Sequence, residues 1–160
     1  KRVSLMFLPS SPVTGAAQTG FTSPTYTLTA DNAPTLFAKR WTISTAGGTQ
    51  SGVSTHSVAR PFTLTFFRPA AISQLPAANA NGVVPAFPRN QFKRIIRKSV
   101  AVSADASVPK QVMIITTTFS IPAGAETYDE ANVRAGLSLD GGVTTQTADM
   151  MFDTAKTGTI

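Results

Sequence analysis

A chain of 160 residues with 42% apolar side chains can bury one core, which excludes a disordered tail and a multidomain array. It has no cysteine, so disulfides and thiol chemistry are excluded, and no apolar run approaches the roughly 18 residues of a membrane-spanning helix. The net charge of +6 is uneven: residues 1–110 hold 12 Lys/Arg against Asp31 and Asp105, whereas residues 111–160 hold Arg134 and Lys156 against six acids, which points a basic surface at a polyanion and puts an acidic segment elsewhere.

Val3 to Leu8 follows two basic residues and precedes small ones, which imitates a signal peptide. An apolar core of six residues is shorter than such a segment needs, so this opening reads as an N-terminal strand. Pro9, Pro12, Gly15, Gly20 and Pro24 make residues 9–24 a run of turns. Residues 24–31 alternate and form a strand that Pro34 ends. Residues 36–45, around Trp41, form the next, followed by a polar, Gly-rich connection over 46–56. A third strand spans 57–69, between Pro61 near its start and Pro69. Residues 70–90 hold three prolines and Asn81-Gly82 and make a long excursion, with room for a small hairpin of its own. A strand over 91–103 opens on a basic cluster, Lys93, Arg94, Arg97 and Lys98; residues 104–109 turn, and 110–121 form the last strand.

The periodicity then changes. Thr127 and Glu130 have capping-box spacing, and Ala131, Ala135 and Leu139 recur every four residues before Gly141-Gly142, which predicts a helix ending there. A weaker helix covers 143–155, with Ala148, Met151 and Phe152 on one side. Strands first and helices last give an α+β chain with an antiparallel meander, in one domain over 1–160.

Alternate strand residues face opposite ways, so parity sorts each strand. One set holds Phe37, Trp41, Ile43, Phe62, Leu64, Phe66, Ile96, Val100, Val102, Met113, Ile115, Phe119 and Ile121. The other holds Arg40, Thr42, Ser44, Thr63, Thr65, Lys93, Arg97, Ser99, Ser103, Thr116, Thr118 and Ser120. Four residues break the pattern on the polar side (Phe67, Ile95, Val112 and Ile114). Lys39, Arg94 and Lys98 break it on the apolar side, where the stems of Lys39 and Lys98 can snorkel past an edge. The apolar face needs a cover. The two helices are short, and the first is thinly apolar, so they do not cover a broad sheet alone, which predicts an obligate homodimer. The polar face lacks carboxylates and is rich in hydroxyls, which suits phosphate and sugar.

Catalytic chemistry finds little support. His56, the single histidine, sits in a Gly/Ser/Thr loop without the partners of a metal site or a triad. Asp129 and Glu130 fit the first turn of a helix better than acid/base work. The glycines of residues 46–52 lack the Gly-Lys-Ser/Thr of a phosphate loop. We therefore expect no enzyme, cofactor, metal or small-molecule substrate. Two other readings fit the composition. One is an RNA-binding β-sheet regulator that forms no shell. The other is a secreted adhesion or carbohydrate-binding module using Tyr26 and Phe67.

Residues 116–142, "TTTFSIPAGAETYDEANVRAGLSLDGG", resemble the last strand and first helix of coat proteins from the single-stranded RNA bacteriophages, the leviviruses. "LFAKRWTISTA", "FTLTFFR" and "FKRIIRKSVAV" are similar to the family's preceding strands. The order of elements matches nearly the whole chain, and the specific residues match best from 110 to 142. The resemblance implies an N-terminal hairpin over 1–34, a five-stranded antiparallel sheet over 35–121 and dimerising helices over 125–155 that lie across the partner's sheet. It further implies a small icosahedral capsid, assembled in the cytoplasm of a bacterial host, that holds genomic RNA against the open sheet face. Some members also bind there an RNA hairpin that represses replicase translation. By matching strands, the family's RNA contacts fall on Ala38, Thr63, Thr65, Ile95, Arg97, Ser99, Ile114 and Thr116. Parity adds Arg40, Thr42, Lys93 and Thr118. Ile114 stands where some members stack a base on a tyrosine, and Phe67 is the ring on the same face.

Overall fold

In a computed structural model, residues 6–160 are described. Six strands form one antiparallel sheet in chain order: β1 (Val13–Thr14), β2 (Thr22–Asp31), β3 (Ala38–Thr49), β4 (Phe62–Phe67), β5 (Arg89–Val100) and β6 (Gln111–Pro122). Three helices follow: α1 (Ala125–Tyr128), α2 (Glu130–Gln146) and α3 (Ala148–Thr157). The α+β class and the meander are as the alternating patterns imply. The N-terminal hairpin is β1 with β2, and it joins the main sheet, giving six strands where the resemblance implies five.

Several boundaries differ from the sequence reading, each for a local reason. The strand expected over 3–8 lies partly outside the described residues; Met6 to Leu8 form no strand, and Phe7 instead stacks on Phe66 at 3.8 Å between ring centroids. β3 runs through the Gly47-Gly48 pair that reads as a connection. Gly48 has φ of 72°, and a Cβ there would collide with the Ser23 carbonyl, so glycine lets β2 and β3 pass closely beside an irregularity in their register. β4 starts only at Phe62, after Pro61, and β5 ends at Val100, so Val102 and Ser103 lie in the following turn rather than on a face. Residues 70–90 form no hairpin strands. Asn79 makes a tight turn by accepting the Val83 and Asn81 N–H groups, each at 3.0 Å.

The helices also run differently. Thr127 lies inside α1 and cannot cap α2, whose N-cap is Asp129. Glu130 instead pairs with Arg134 one turn on, at 2.5 Å. Gly141 and Gly142 do not stop α2, because neither takes the positive φ of a helix-ending glycine. The Thr145 hydroxyl bonds back to Gly141 O at 3.0 Å, and the helix continues to Gln146. Residues 143–146 therefore belong to α2, and the last helix begins at Ala148.

The interior is thin. Among the described residues the bulky apolar side chains that are buried are Pro24, Trp41 and Ile43, the last two at 7% and 4% exposure. The chain exposes 11439 Å², where a monomer of 16.8 kDa exposes roughly 7,700 Å² by mass scaling. Neither α2 nor α3 buries a residue; Leu139, Met151 and Phe152 are more than 60% exposed. A link ties α3 to the turn between β1 and β2: Asp149 accepts the Thr19 hydroxyl at 2.7 Å and its N–H at 3.1 Å.

Candidate nucleic-acid interface

Residues paired across antiparallel strands share a face, so the register decides what the polar parity set makes. It builds three rows from β3 to β6. The first is Thr42, Thr63, Arg97 and Ile114; the second is Arg40, Thr65, Ile95 and Thr116; the third is Ala38, Phe67, Lys93 and Thr118. Ser99 lies beyond the first row, opposite Val112. All twelve positions expected from parity and resemblance thus lie on one face. Phe67 completes the third row and was absent from that set, because its apolar character broke the alternation.

Strand geometry alone does not make each position equally available. Thr63, Thr65 and Ser99 are only 7% exposed, flanked by longer cross-strand neighbours such as Arg97 and Ile95. Their hydroxyls have no protein partner among the described residues, yet none is sealed from solvent, since Gln50 Oε1 is the one sealed, unpaired side-chain atom there. Arg97, Lys93, Ile114, Thr116 and Thr118 are exposed.

The charge of this face needs one correction. Asp31 of β2 sits across from Arg40, and the guanidinium Nε and Nη2 both reach Asp31 Oδ2 at 2.8 Å. The Asn32 N–H, followed by the Arg40 charge and hydrogen bond, holds the Asp31 carboxyl below the usual carboxylate range. The face therefore does hold a carboxylate, and Arg40 is neutralised by it. Arg97 and Lys93 carry the free charge: neither has an ion pair or hydrogen bond among the described residues. Arg89 extends the basic line on the same parity, held by Ser120 Oγ at 2.8 Å and Ser120 O at 2.7 Å.

The basic residues of the other parity have a separate duty. Arg94 lies over the Phe119 ring at 5.8 Å and donates to Thr117 Oγ1 at 3.3 Å. Lys98 lies over Phe62 at 4.7 Å and donates to Ser54 O and Oγ at 2.7 and 2.9 Å. Partial burial, then the charge of Arg60, lowers the Lys98 pKa. These two cations tie loop and strand together on the apolar face. Missing from the sequence reading was the chance that a cation on an apolar face can rest on aromatic rings.

Other candidates resolve into structure. His56 Nδ1 accepts the Phe62 N–H at 3.0 Å and fixes the entry to β4. Tyr26 packs edge-on against Phe62, so it is no free sugar platform. Asn90, 4% exposed, pairs with both the N–H and the carbonyl of Ser73, at 2.8 and 3.1 Å, and anchors the long loop to β5.

The chain matches no family profile and no curated protein sequence. Solved structures do match. The chain is similar to the protein in the virus-like particle of bacteriophage ESE020, with 48% identity and a TM-score of 0.90 over 97% of this chain and 100% of that one. It shares its fold with the protein in the virus-like particle of Beihai levi-like virus 32, at 20% identity and a TM-score of 0.53, over 84% of this chain and 88% of that one.

Proposed function

The chain belongs to the coat proteins of the single-stranded RNA bacteriophages, and from that premise we propose that its dimers build a small icosahedral shell around single-stranded genomic RNA, inside a bacterial host. It is a capsid structural protein, a component of the virion. The observation that carries the finer reading is the mismatch between helices and sheet. Neither α2 nor α3 has a buried residue, while the apolar sheet face lacks a full cover. Two copies related by a two-fold axis resolve both at once, with the helices of one laid across the sheet of the other. β6 is the second incomplete feature. It is an edge strand whose Val112, Met113, Ile114 and Ile115 are each more than 40% exposed. Such an edge pairs readily with another strand.

With the apolar face covered, the three polar rows face the shell interior. Arg97 and Lys93 meet phosphates there, and the unpaired hydroxyls of Thr63, Thr65 and Ser99 offer hydrogen bonds to sugar or base. The same face would take a repressor hairpin, with Ile114 supplying no ring to stack. The test is expression of the full chain followed by electron microscopy and nuclease-protected RNA analysis. Closed particles containing RNA are expected. A monomer that neither assembles nor retains RNA would refute the reading.

A further inference from the structure

The third row holds something the first two lack. β4 to β6 carry five phenylalanines, and four have a ring or cation against them. Phe62 carries Lys98, Phe119 carries Arg94, and Phe66 meets Phe7 on one side and Phe92 at 6.5 Å. Phe67 has no such partner among the described residues. It is also the one aromatic that the β3–β6 register puts on the polar face. With Gln91, Lys93, Ile95 and Thr118 it lines a shallow cavity of ≈ 250 Å³ open to that face. Phe67 and Thr118 are two strand spacings apart, about 10 Å, with Lys93 between them. The cavity thus has an apolar wall (Phe67, Ile95), an amide carrying both donors and an acceptor (Gln91), a hydroxyl (Thr118) and an unpaired cation (Lys93).

We propose that this cavity receives one unpaired base of single-stranded RNA, stacked on Phe67, with its edge toward Gln91 and Thr118 and its phosphate at Lys93. The site rests on the reading of the sheet face as an RNA surface. It gives the face a stacking platform at Phe67, on β4, in place of the ring missing at Ile114 on β6. Stacking accepts any base, because every base has a π-face, so the site suits packaging of a whole genome. Gln91 adds whatever base preference it has.

Paired strands test this. The full chain is titrated with a short oligoadenylate and with an abasic ribose-phosphate strand of equal length. The oligoadenylate binds more tightly. Phe67→Leu weakens oligoadenylate binding about 5- to 150-fold, the range for losing one stacked base. It leaves the abasic strand and the salt slope unchanged, and Phe67→Tyr restores the wild-type difference. Lys93→Ala weakens both strands alike and makes the slope of log K against log salt shallower by about 0.7. Ultraviolet crosslinking of unaltered chain to oligoadenylate, read by mass spectrometry, yields a base adduct at Phe67 and needs no variant to fold. Equal effects of Phe67→Leu on both strands, or no adduct at Phe67, would overturn the pocket while leaving the RNA face standing. Failure of the wild type to bind either strand would overturn the RNA face and the pocket together.

Discussion

Arg97 is the residue at which charge and register meet. It sits mid-strand on β5, across from Thr63 and Ile114, exposed and unpaired among the described residues. A side chain with no protein partner can be removed at little cost to the fold. Arg97→Ala should therefore leave the oligomer intact and make the salt slope of RNA binding shallower by about 0.7, the single-strand increment for one phosphate contact. Asp31→Asn should do the reverse. It removes the carboxylate that Arg40 contacts through Nε and Nη2, and the freed guanidinium should steepen the slope by a similar amount. Both slopes come from one set of filter-binding titrations over a range of salt. Identical slopes for wild type and Asp31→Asn would mean that Arg40 is already available to RNA.

At the scale of elements, the strands were legible and the helices less so. Alternation in β3 to β6 identified both faces, because a sheet with one buried side must repeat every second residue. Val100→Asp tests that register directly. It puts a charge on the face where Ile96 and Met113 lie, and should prevent folding, as seen by loss of the cooperative thermal transition. A folded Val100→Asp beside an unfolded Arg97→Ala would place the register one residue off. Pairing between distant segments was not legible. Asp31 meets Arg40 only because β2 and β3 shift register near Thr27, and no local pattern announces such a shift. The end of α2 was misread for a related reason. A glycine stops a helix by adopting positive φ, and nothing beside Gly141-Gly142 requires it to.

The link between Asp149 and Thr19 carries a pH signature at the same scale. The Thr19 hydroxyl, then its N–H, holds the Asp149 carboxyl below its ordinary value. A carboxylate with a lowered folded pKa contributes its full stabilisation above the unfolded value, near 3.9. That contribution is lost as pH falls through the lowered folded value. Hydrogen exchange should show the Thr19 amide protected at neutral pH and open in strong acid, and open at every pH in Asp149→Ala. A Thr19 amide equally protected in Asp149→Ala would show that the loop is held by other contacts.

For the whole molecule, the central fact is incompleteness. With Pro24, Trp41 and Ile43 the bulky apolar side chains buried among the described residues, and with exposed helices, the single chain draws little stability from its own interior, since the hydrophobic term scales with apolar area removed from water. The sequence hinted at this, because its two C-terminal helices are short, and the first thinly apolar, for the sheet they follow. It could not show how little they bury, since that depends on where α2 and α3 are carried after Pro122. On the proposed function, folding, dimerisation and shell closure would be coupled, and the polar face would become an interior surface only on assembly. The most direct test is a cryo-electron microscopy map of particles assembled from the full chain. The account predicts closed shells in which helices from one copy cross the sheet of another, with RNA density against the face of Thr63, Lys93 and Arg97. Shells with those residues facing outward, or with no RNA density against them, would contradict it.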